Sequence, residues 1–296
     1  MPYHHDTKCK GITFLFNNKT FWQKKCKKCY FYTLTCPYTP FFIPLFSLFT
    51  KYVMSEQKRL LYQMQRVFNA TCANNALLND GDHILIGLSG GKDSLLLTEL
   101  LGRRARIYVP KFTVTAVHVR IPERAYISDT AYLQAFCDQW QVPLHVVDTS
   151  ILSTETADTK DPCWLCSWYR RKALFEVAQQ LGCNKIALGH HRDDVVETLL
   201  MNLVFQGRLD SMPPKLQLDK MPIQIIRPLS SIDEKDILAY AQLVPYVKQL
   251  TVCPFEKNSS RAQMKHIVAQ LEDMNTDFRS SVEHALMRLY KTTNDI

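Results

Sequence analysis

The sequence predicts an α/β fold in which a mostly parallel sheet is covered by helices on both faces, with further helical segments towards either end of the chain. Short, nearly continuous apolar runs alternate with segments whose apolar residues recur at helical spacing. Strands that are apolar throughout are typical of a sheet buried on both faces. The sequence has no internal repeat, and its length and hydrophobic content predict one main domain.

The elements follow from these runs in order. Strands are expected at residues 83–89, 113–119, 144–149, 185–189 and 223–229. Helices are expected at residues 55–78, 92–104, 129–140, 167–181, 195–205 and 234–243, followed by a helical tail over 259–290. Ligands of such sheets bind beyond the carboxyl ends of the strands, so the loops after the first and fourth strands are candidate sites.

A chain of 296 residues, 46% of them hydrophobic, can bury one good core and carry a small appendage. We divide it into a poorly ordered extension, an N-terminal helix, a main domain and a C-terminal helical segment, at residues 1–53, 54–81, 82–250 and 251–296. Because Met54 directly precedes a good helix, the extension is interpreted as translated from a misplaced start. Its apolar run is interrupted by Pro44 and is too short to span a bilayer, so no membrane attachment is expected.

Charge is distributed unevenly along the chain. The formal net charge is +8, and residues 1–53 hold eight lysines and one aspartate, hence +7, which leaves +1 for the other residues. This distribution excludes a general positive field on the main domain. Any contact with RNA must therefore come from local basic groups, such as Arg170, Arg171, Lys172, Arg208, Lys215 and Arg227.

The strongest motif is SGGKDS, which stands between an apolar strand and a helix. Its two glycines let the backbone turn sharply and leave peptide N–H groups open to an anion, and its serines add hydroxyl donors. The helix that follows directs its positive end at the same place. The spacing differs from the common P-loop. We predict that a nucleotide phosphate binds to Ser89, Gly90, Gly91, Lys92, Asp93 and Ser94.

A second polar loop, GHHRDD, follows the fourth predicted strand and so lies at the same edge of the sheet. Its two aspartates begin a helix, where one carboxylate can cap the helix while the other faces the site. Its histidines can order the loop or assist proton transfer. The candidate residues of this loop are Gly189, His190, His191, Asp193 and Asp194.

Cys163 and Cys166 form a C-x-x-C pair just before a predicted helix, and Cys253 is a remote third candidate. Nearby arginines and the helix start would lower the pKa of these thiols. Three thiols do not complete a structural zinc site, but they suit an iron-sulfur cluster. The pair alone leaves a metal site, a redox pair and coincidence open. Ten cysteines in a chain without a secretory signal indicate a reducing compartment, and we expect the cytoplasm. The other three cysteines after residue 53 are interpreted as small apolar residues: Cys72, Cys137 and Cys183.

Taken in order, SGGKDS, the C-x-x-C with paired arginines, GHHRDD-x-x-E-T-L, MPPKL, IRPL and a late cysteine resemble the tRNA 2-thiocytidine synthetase family over residues 55–269. The resemblance implies a Rossmann-like PP-loop domain of the adenine nucleotide alpha hydrolase type and a homodimer. It also implies a [4Fe-4S] cluster bound by Cys163, Cys166 and Cys253. Many relatives have a second cysteine at the last site, whereas here Pro254 follows Cys253.

The resemblance further implies that ATP and Mg²⁺ activate the C2 oxygen of a cytidine, at position 32 of a tRNA, by adenylation. Sulfur from the cluster then replaces that oxygen, and a cysteine desulfurase or another donor resupplies it. Asp193 or Asp194 is assigned to Mg²⁺ or substrate handling. Arg170, or Arg171 in its place, is expected to stabilise the negative charge that develops on the phosphate or on the oxygen during the reaction.

Three alternatives stay open. A lysidine synthetase-like enzyme would use an amine on an adenylated cytidine, although an amine nucleophile needs no cluster. A related enzyme would thiolate a uridine. An iron-sulfur or RNA-binding module with a vestigial loop is the third alternative, and the complete SGGKDS and GHHRDD motifs argue against it.

Overall fold

The computed structural model describes residues 39–107, 109–122, 126–127, 129–150, 162–219, 221–247, 250–251 and 260–294. The chain divides into two compact units, Met1–Ser55 and Glu56–Ile296, and the second contains the sheet and the site. No helix in the described ranges combines the length and the apolar character that a membrane span needs.

The described elements alternate as predicted. The strands are β1 (His83–Gly87), β2 (Thr113–Arg120), β3 (Tyr126–Ile127), β4 (Leu144–Asp148), β5 (Lys185–Ala187), β6 (Lys215–Gln217), β7 (Gln224–Ile226) and β8 (Leu250–Thr251). The helices are α1 (Thr39–Asn74), α2 (Lys92–Ala105), α3 (Thr130–Gln139), α4 (Pro162–Gln180), α5 (Arg192–Gln206), α6 (Glu234–Leu243), α7 (Ser260–Met274) and α8 (Phe278–Asn294).

Six strands form one sheet in the order β4-β2-β1-β5-β7-β6, and β3 pairs with β8 in a separate antiparallel ribbon. All neighbours in the large sheet are parallel except β6, which runs antiparallel to β7. From β1 the chain builds first to one side and then, through β5, to the other. This reversal creates a crevice between the carboxyl ends of β1 and β5.

The side chains of β1 alternate between two cores. Ile84 and Ile86 lie in the larger core, with buried residues of α1, α2, α3 and α6. Leu85 lies in the smaller core, with Val177 and Ala178 of α4. The sheet is therefore covered on both faces, as predicted.

Three predicted helices differ from the structure by four residues or more at one end. The helix expected at 55–78 spans Thr39–Asn74, so it begins inside the segment that we interpreted as a poorly ordered extension. α4 begins at Pro162 instead of residue 167, because proline is well suited to the first turn of a helix. The helical tail consists of two helices, and Asn275 accepts a hydrogen bond from the backbone N–H of Asp277 at the break between them.

Candidate functional site

Residues 89–94 form a closed turn between β1 and α2. Gly90 has a φ of 84°, in the left-handed region that glycine adopts without strain. The buried Ser94 hydroxyl accepts from the N–H of Gly90 at 3.2 Å and donates to the carbonyl of Gly91 at 3.0 Å. The hydroxyl of Ser89, an exposed residue, accepts from the N–H of Gly91 at 3.3 Å. Ser94 therefore shapes the turn, and Ser89 lies at its rim.

The N-terminus of α2 faces this turn. Gly91 is the N-cap, and no side chain caps the helix there. The first N–H groups of an α-helix have no partner within the helix, and the helix dipole adds positive potential. This end of α2 is therefore suited to a phosphate group.

Lys92 is held by carboxylates beside the turn. Its Nζ lies 2.9 Å from Glu234 Oε1 and 3.1 Å from Asp93 Oδ1. Lys265 Nζ lies 3.0 Å from the other oxygen of Glu234. Burial alone would raise the pKa of Glu234, but the hydrogen bonds from both lysines lower it to about 2. Glu234 therefore stays ionised and fixes both cations next to the turn.

The second polar loop touches the first. A Cβ atom on Gly189 would lie 3.2 Å from the carbonyl carbon of Asp93 and from the backbone nitrogen of Ser94, closer than ordinary contact. His191 is the N-cap of α5, and its N–H donates to Asp194 Oδ2 at 3.0 Å. The N-cap residue is therefore His191, and Asp194 takes part in the cap as the carboxylate of a capping box.

Both predicted catalytic carboxylates bind groups of other helices. Asp193 is buried, and its Oδ2 accepts from the N–H of Glu234 at 2.7 Å while its Oδ1 lies 2.7 Å from Arg279 Nη1. Asp194 Oδ1 lies 2.9 Å from Arg261 Nη1. These contacts join α5 to α6, α7 and α8. The roles of the two aspartates in Mg²⁺ or substrate handling stay predictions.

His190 lies against a buried arginine. Burial lowers the pKa of His190 to about 4, so its imidazole is neutral at physiological pH. Arg227 Nε donates to His190 Nδ1 at 3.4 Å, and its Nη1 donates to the carbonyl of Pro213 at 2.7 Å. Arg227 is only 7% exposed. The prediction that Arg227 is one of the basic groups that contact RNA is therefore wrong, because its guanidinium is buried and connects the MPPKL and IRPL segments.

Helix α4, which contains the C-x-x-C pair, begins at the same edge of the sheet as the SGGKDS turn. It does so because it connects the carboxyl end of β4 to the start of β5. Its Leu174 lies over β1, where a Cβ atom on Gly87 would be 3.7 Å from Leu174 Cδ1. Cys166, two turns nearer the helix start, is half-buried. The C-x-x-C lies inside the first turns of α4 and not before the helix, which corrects the prediction. The side chain of Cys163 and the whole of Cys253 lie outside the described residues.

Arg170 shares a face of α4 with Cys166, four residues earlier. Burial lowers the pKa of His118, and the charge of Arg170 lowers it further, whereas a backbone hydrogen bond opposes both effects. That bond joins His118 Nδ1 to the carbonyl of Leu88 at 2.7 Å, one residue before the SGGKDS turn. Arg170 therefore lies near the end of β1. Arg171 is exposed instead, and its Nε donates to the carbonyl of Ser167.

The other cysteines of the described chain are structural, as predicted. Burial raises the pKa of Cys72 and Cys137 to about 12 and that of Cys183 to about 11. Such thiols are inert apolar side chains. Among the described residues, no group of three or more His, Cys, Asp or Glu side chains is arranged to hold a metal ion.

Sequence reasoning missed the cations that α7 and α8 bring to the site. Arg261 and Lys265 stand one turn apart in α7, and both lie within 4.0 Å of the buried Glu197. Arg279 of α8 reaches Asp193. The spacing of Arg261 and Lys265 is a recognisable signal for one helix face, but a basic helix face is usually only solvated.

The turn, the sheet order and the uncapped helix together define a PP-loop nucleotide-binding protein. A family model described as a PP-loop domain matches residues 59–249. The tRNA-cytidine(32) 2-sulfurtransferase of Shewanella sp. (strain W3-18-1) is 35% identical over 216 residues, which cover 72% of this chain and 69% of the relative. That of Paraburkholderia xenovorans (strain LB400) is 36% identical over 221 residues, which cover 73% and 65%. The chain belongs to the tRNA-cytidine(32) 2-sulfurtransferase family.

A solved structure is also similar. The U34-tRNA thiolase NcsA from Methanococcus maripaludis, determined with its [4Fe-4S] cluster, matches with a TM-score of 0.65 and 27% identity. The match covers 79% of this chain and 80% of the thiolase. The predicted fold class and family are both confirmed.

Proposed function

We propose that this chain is an ATP-dependent tRNA thiolation enzyme that replaces the C2 oxygen of a cytidine, at position 32, with sulfur. One observation supports it above the others. The first turns of α4, with Cys166 and Arg170, begin at the sheet edge where the PP-loop closes, and Leu174 of the same helix packs on β1. A thiol site and a nucleotide site at one edge suit a reaction that needs both an activated base and sulfur.

In the first step, residues 89–94 bind the β- and γ-phosphates of ATP through backbone N–H groups. The C2 oxygen of the cytidine attacks the α-phosphorus, the bond to the β-phosphate breaks, and pyrophosphate leaves. The oxygen is now part of an AMP leaving group, which solves the problem that oxide leaves poorly. Arg170 stabilises the negative charge that develops, since a guanidinium matches phosphate geometry.

Mg²⁺ would neutralise phosphate charge, and carboxylate oxygens are its preferred protein ligands. Asp93 Oδ1 is buried and accepts no hydrogen bond, although Lys92 Nζ lies 3.1 Å away. This oxygen, next to the PP-loop, fits Mg²⁺ better than those of Asp193, both of which bind protein donors.

The residues of α4 also fit an iron-sulfur cluster. Cys166 is half-buried, whereas the three structural thiols of the described chain are buried. Arg170 on the same helix face would offset thiolate charge. Cys163, Cys166 and Cys253 would hold the cluster, which when bound supplies the sulfur atom that replaces the C2 oxygen. We include a cysteine desulfurase or another sulfur donor, a homodimer and a cytoplasmic location in the proposal.

The proposal is tested by anaerobic assay of the reconstituted protein with ATP, tRNA and a sulfide source. We expect AMP, pyrophosphate and 2-thiocytidine as products. Cys166→Ala should abolish thiolation and leave ATP binding largely intact, whereas the matched control Cys183→Ala should keep thiolation because that thiol lies in the core. Formation of ADP, or full activity of Cys166→Ala, would contradict the proposal.

A second candidate, thiolation of a uridine, is favoured by the similarity to a U34-tRNA thiolase. The two functions share the adenylation step and differ only in the base. Nucleoside analysis of the modified tRNA separates them, because the products are 2-thiocytidine and 2-thiouridine.

A further inference from the structure

The exposed side of α4 carries an aromatic stripe that the proposed chemistry does not use, although its Phe175 also packs against the smaller core. Trp164, Trp168, Arg171 and Phe175 follow the spacing i, i+4, i+7 and i+11, so they lie along one side of the helix, with Lys172 beside them. Trp164 and Trp168 are 43% and 41% exposed. Together the five residues, which we call the α4 stripe, line a groove of about 440 Å³.

The geometry of the rings is suited to stacking. The indoles of Trp164 and Trp168 are nearly parallel, with 18° between their planes and 6.5 Å between their centroids. Lys172 Nζ lies 5.7 Å from the centre of the Trp168 ring. Large apolar rings are rarely left at a protein surface in a group unless they bind something.

The charge of the stripe indicates what it binds. Arg171 and Lys172 place two cations at the edge of the rings, and the only acidic side chain in ion-pair range of Lys172 among the described residues is Glu176, at 3.8 Å. Both members of that pair are more than half exposed, so water screens it. Aromatic faces flanked by cations are the pattern that proteins use for unpaired nucleic-acid bases and their phosphates.

We propose that the α4 stripe is a stacking platform for unpaired bases of the tRNA loop that contains the target nucleotide. The inference rests on the proposed function, because it takes tRNA as the substrate. The stripe begins on the same first turns of α4 as Cys166, so a base stacked there belongs to the strand that enters the reaction edge. The rings hold neighbouring bases and the two cations contact the phosphates.

The test is tRNA binding by fluorescence anisotropy, with ATP binding and thermal unfolding measured in parallel. Trp168→Ala should weaken tRNA binding by roughly tenfold and leave ATP binding and folding unchanged. Trp168→Phe should restore most of the affinity, because a smaller ring still stacks. Lys172→Gln should reduce the slope of log Kd against log salt by about 1. The matched control Phe205→Ala, an exposed aromatic at the far end of α5, should bind tRNA normally.

The outcomes separate the two proposals. If wild-type protein binds and thiolates tRNA while Trp168→Ala and Lys172→Gln bind it equally well, the platform is overturned and the proposed function stands. If light scattering shows that Trp168→Ala changes the mass of the particle but not its tRNA affinity, the stripe joins two copies of the chain and the platform is again overturned. If wild-type protein binds no tRNA, both proposals fail.

Discussion

Single residues outside every sequence motif hold the PP-loop side chains in place. Glu234 is the clearest case, because it binds Lys92 from the PP-loop and Lys265 from α7 with its two oxygens. Burial of Lys92 would lower its pKa, but Asp93 and Glu234 raise it above the ordinary value. Glu234 thus favours the charged form of both lysines, together with Asp93 at Lys92 and Glu197 at Lys265.

Glu234→Gln removes this shared carboxylate, and its effect should depend on pH. The pKa of Glu234 in the folded protein, about 2, lies below its ordinary value of 4.5. The ionised form therefore stabilises the fold fully above pH 4.5, and this stabilisation is lost as the pH falls towards 2. We expect the free energy of unfolding to be about 1 kcal/mol lower than in wild type at neutral pH. Urea unfolding should show that difference shrinking in acid.

Glu176→Gln is the control for this prediction. Its pair with Lys172 is long and exposed, so the substitution should leave the free energy of unfolding unchanged at every pH. A difference between Glu234→Gln and wild type that stays constant down to pH 2 would contradict the role given to Glu234.

At the scale of elements, the site exists because two loops approach closely enough for backbone to touch backbone. Gly189 at the end of β5 lies against the first turn of α2, where no Cβ atom fits without displacement. The SGGKDS turn and the GHHRDD loop are therefore one structure, built on the neighbouring strands β1 and β5.

Gly189→Ala should separate these loops. Inserting a methyl group into a packed contact costs about 1–3 kcal/mol, and we expect ATP affinity to fall together with the free energy of unfolding. Calorimetric titration with ATP and urea unfolding measure the two effects. Gly182→Ala is the control, because Gly182 has a φ of 66° but nothing within 4 Å of an added Cβ. The Gly182→Ala variant should have a free energy of unfolding lower by roughly 1–2 kcal/mol and should bind ATP normally. Normal ATP binding by Gly189→Ala would show that the contact between the two loops does not support the ATP site.

At the scale of the whole molecule, the last helix completes the site from the far end of the chain. Arg279 of α8 lies 2.7 Å from the buried carboxylate of Asp193, and Leu286 packs on Val195 and Leu199 of α5. Glu283 adds an ion pair with Arg192 at 3.1 Å. The N-terminus of α5, and with it the GHHRDD loop, depends on a helix about 90 residues further along the chain.

Arg279→Met leaves the buried charge of Asp193 without its cation. Removing one partner of a buried pair is strongly destabilising, so we expect a loss of about 3 kcal/mol in the free energy of unfolding by urea. Arg208→Met breaks an exposed pair with Asp210 and should cost at most about 0.5 kcal/mol. Equal effects of the two substitutions would show that α8 does not support α5 through this contact.

Much of the fold could be predicted because its signals are local. Apolar runs and helical spacing identified the five parallel strands of the large sheet and most helices, and glycines with a following helix identified the PP-loop. Short β6 was missed, since three residues beside two prolines carry no period. The start of α1 was missed because Pro44 suggested an interruption. Local patterns therefore located the elements better than their ends.

The sequence by itself determined the strand and helix alternation, the PP-loop and the candidate thiols, because each of these is encoded in residues that are close together in the chain. Only the tertiary structure decided that Asp193 meets Arg279, that Lys92 shares Glu234 with Lys265, and that Arg227 is buried against His190. The physical reason is that an ion pair or a close contact depends on where packing brings side chains that are distant in sequence, and no local pattern records that distance.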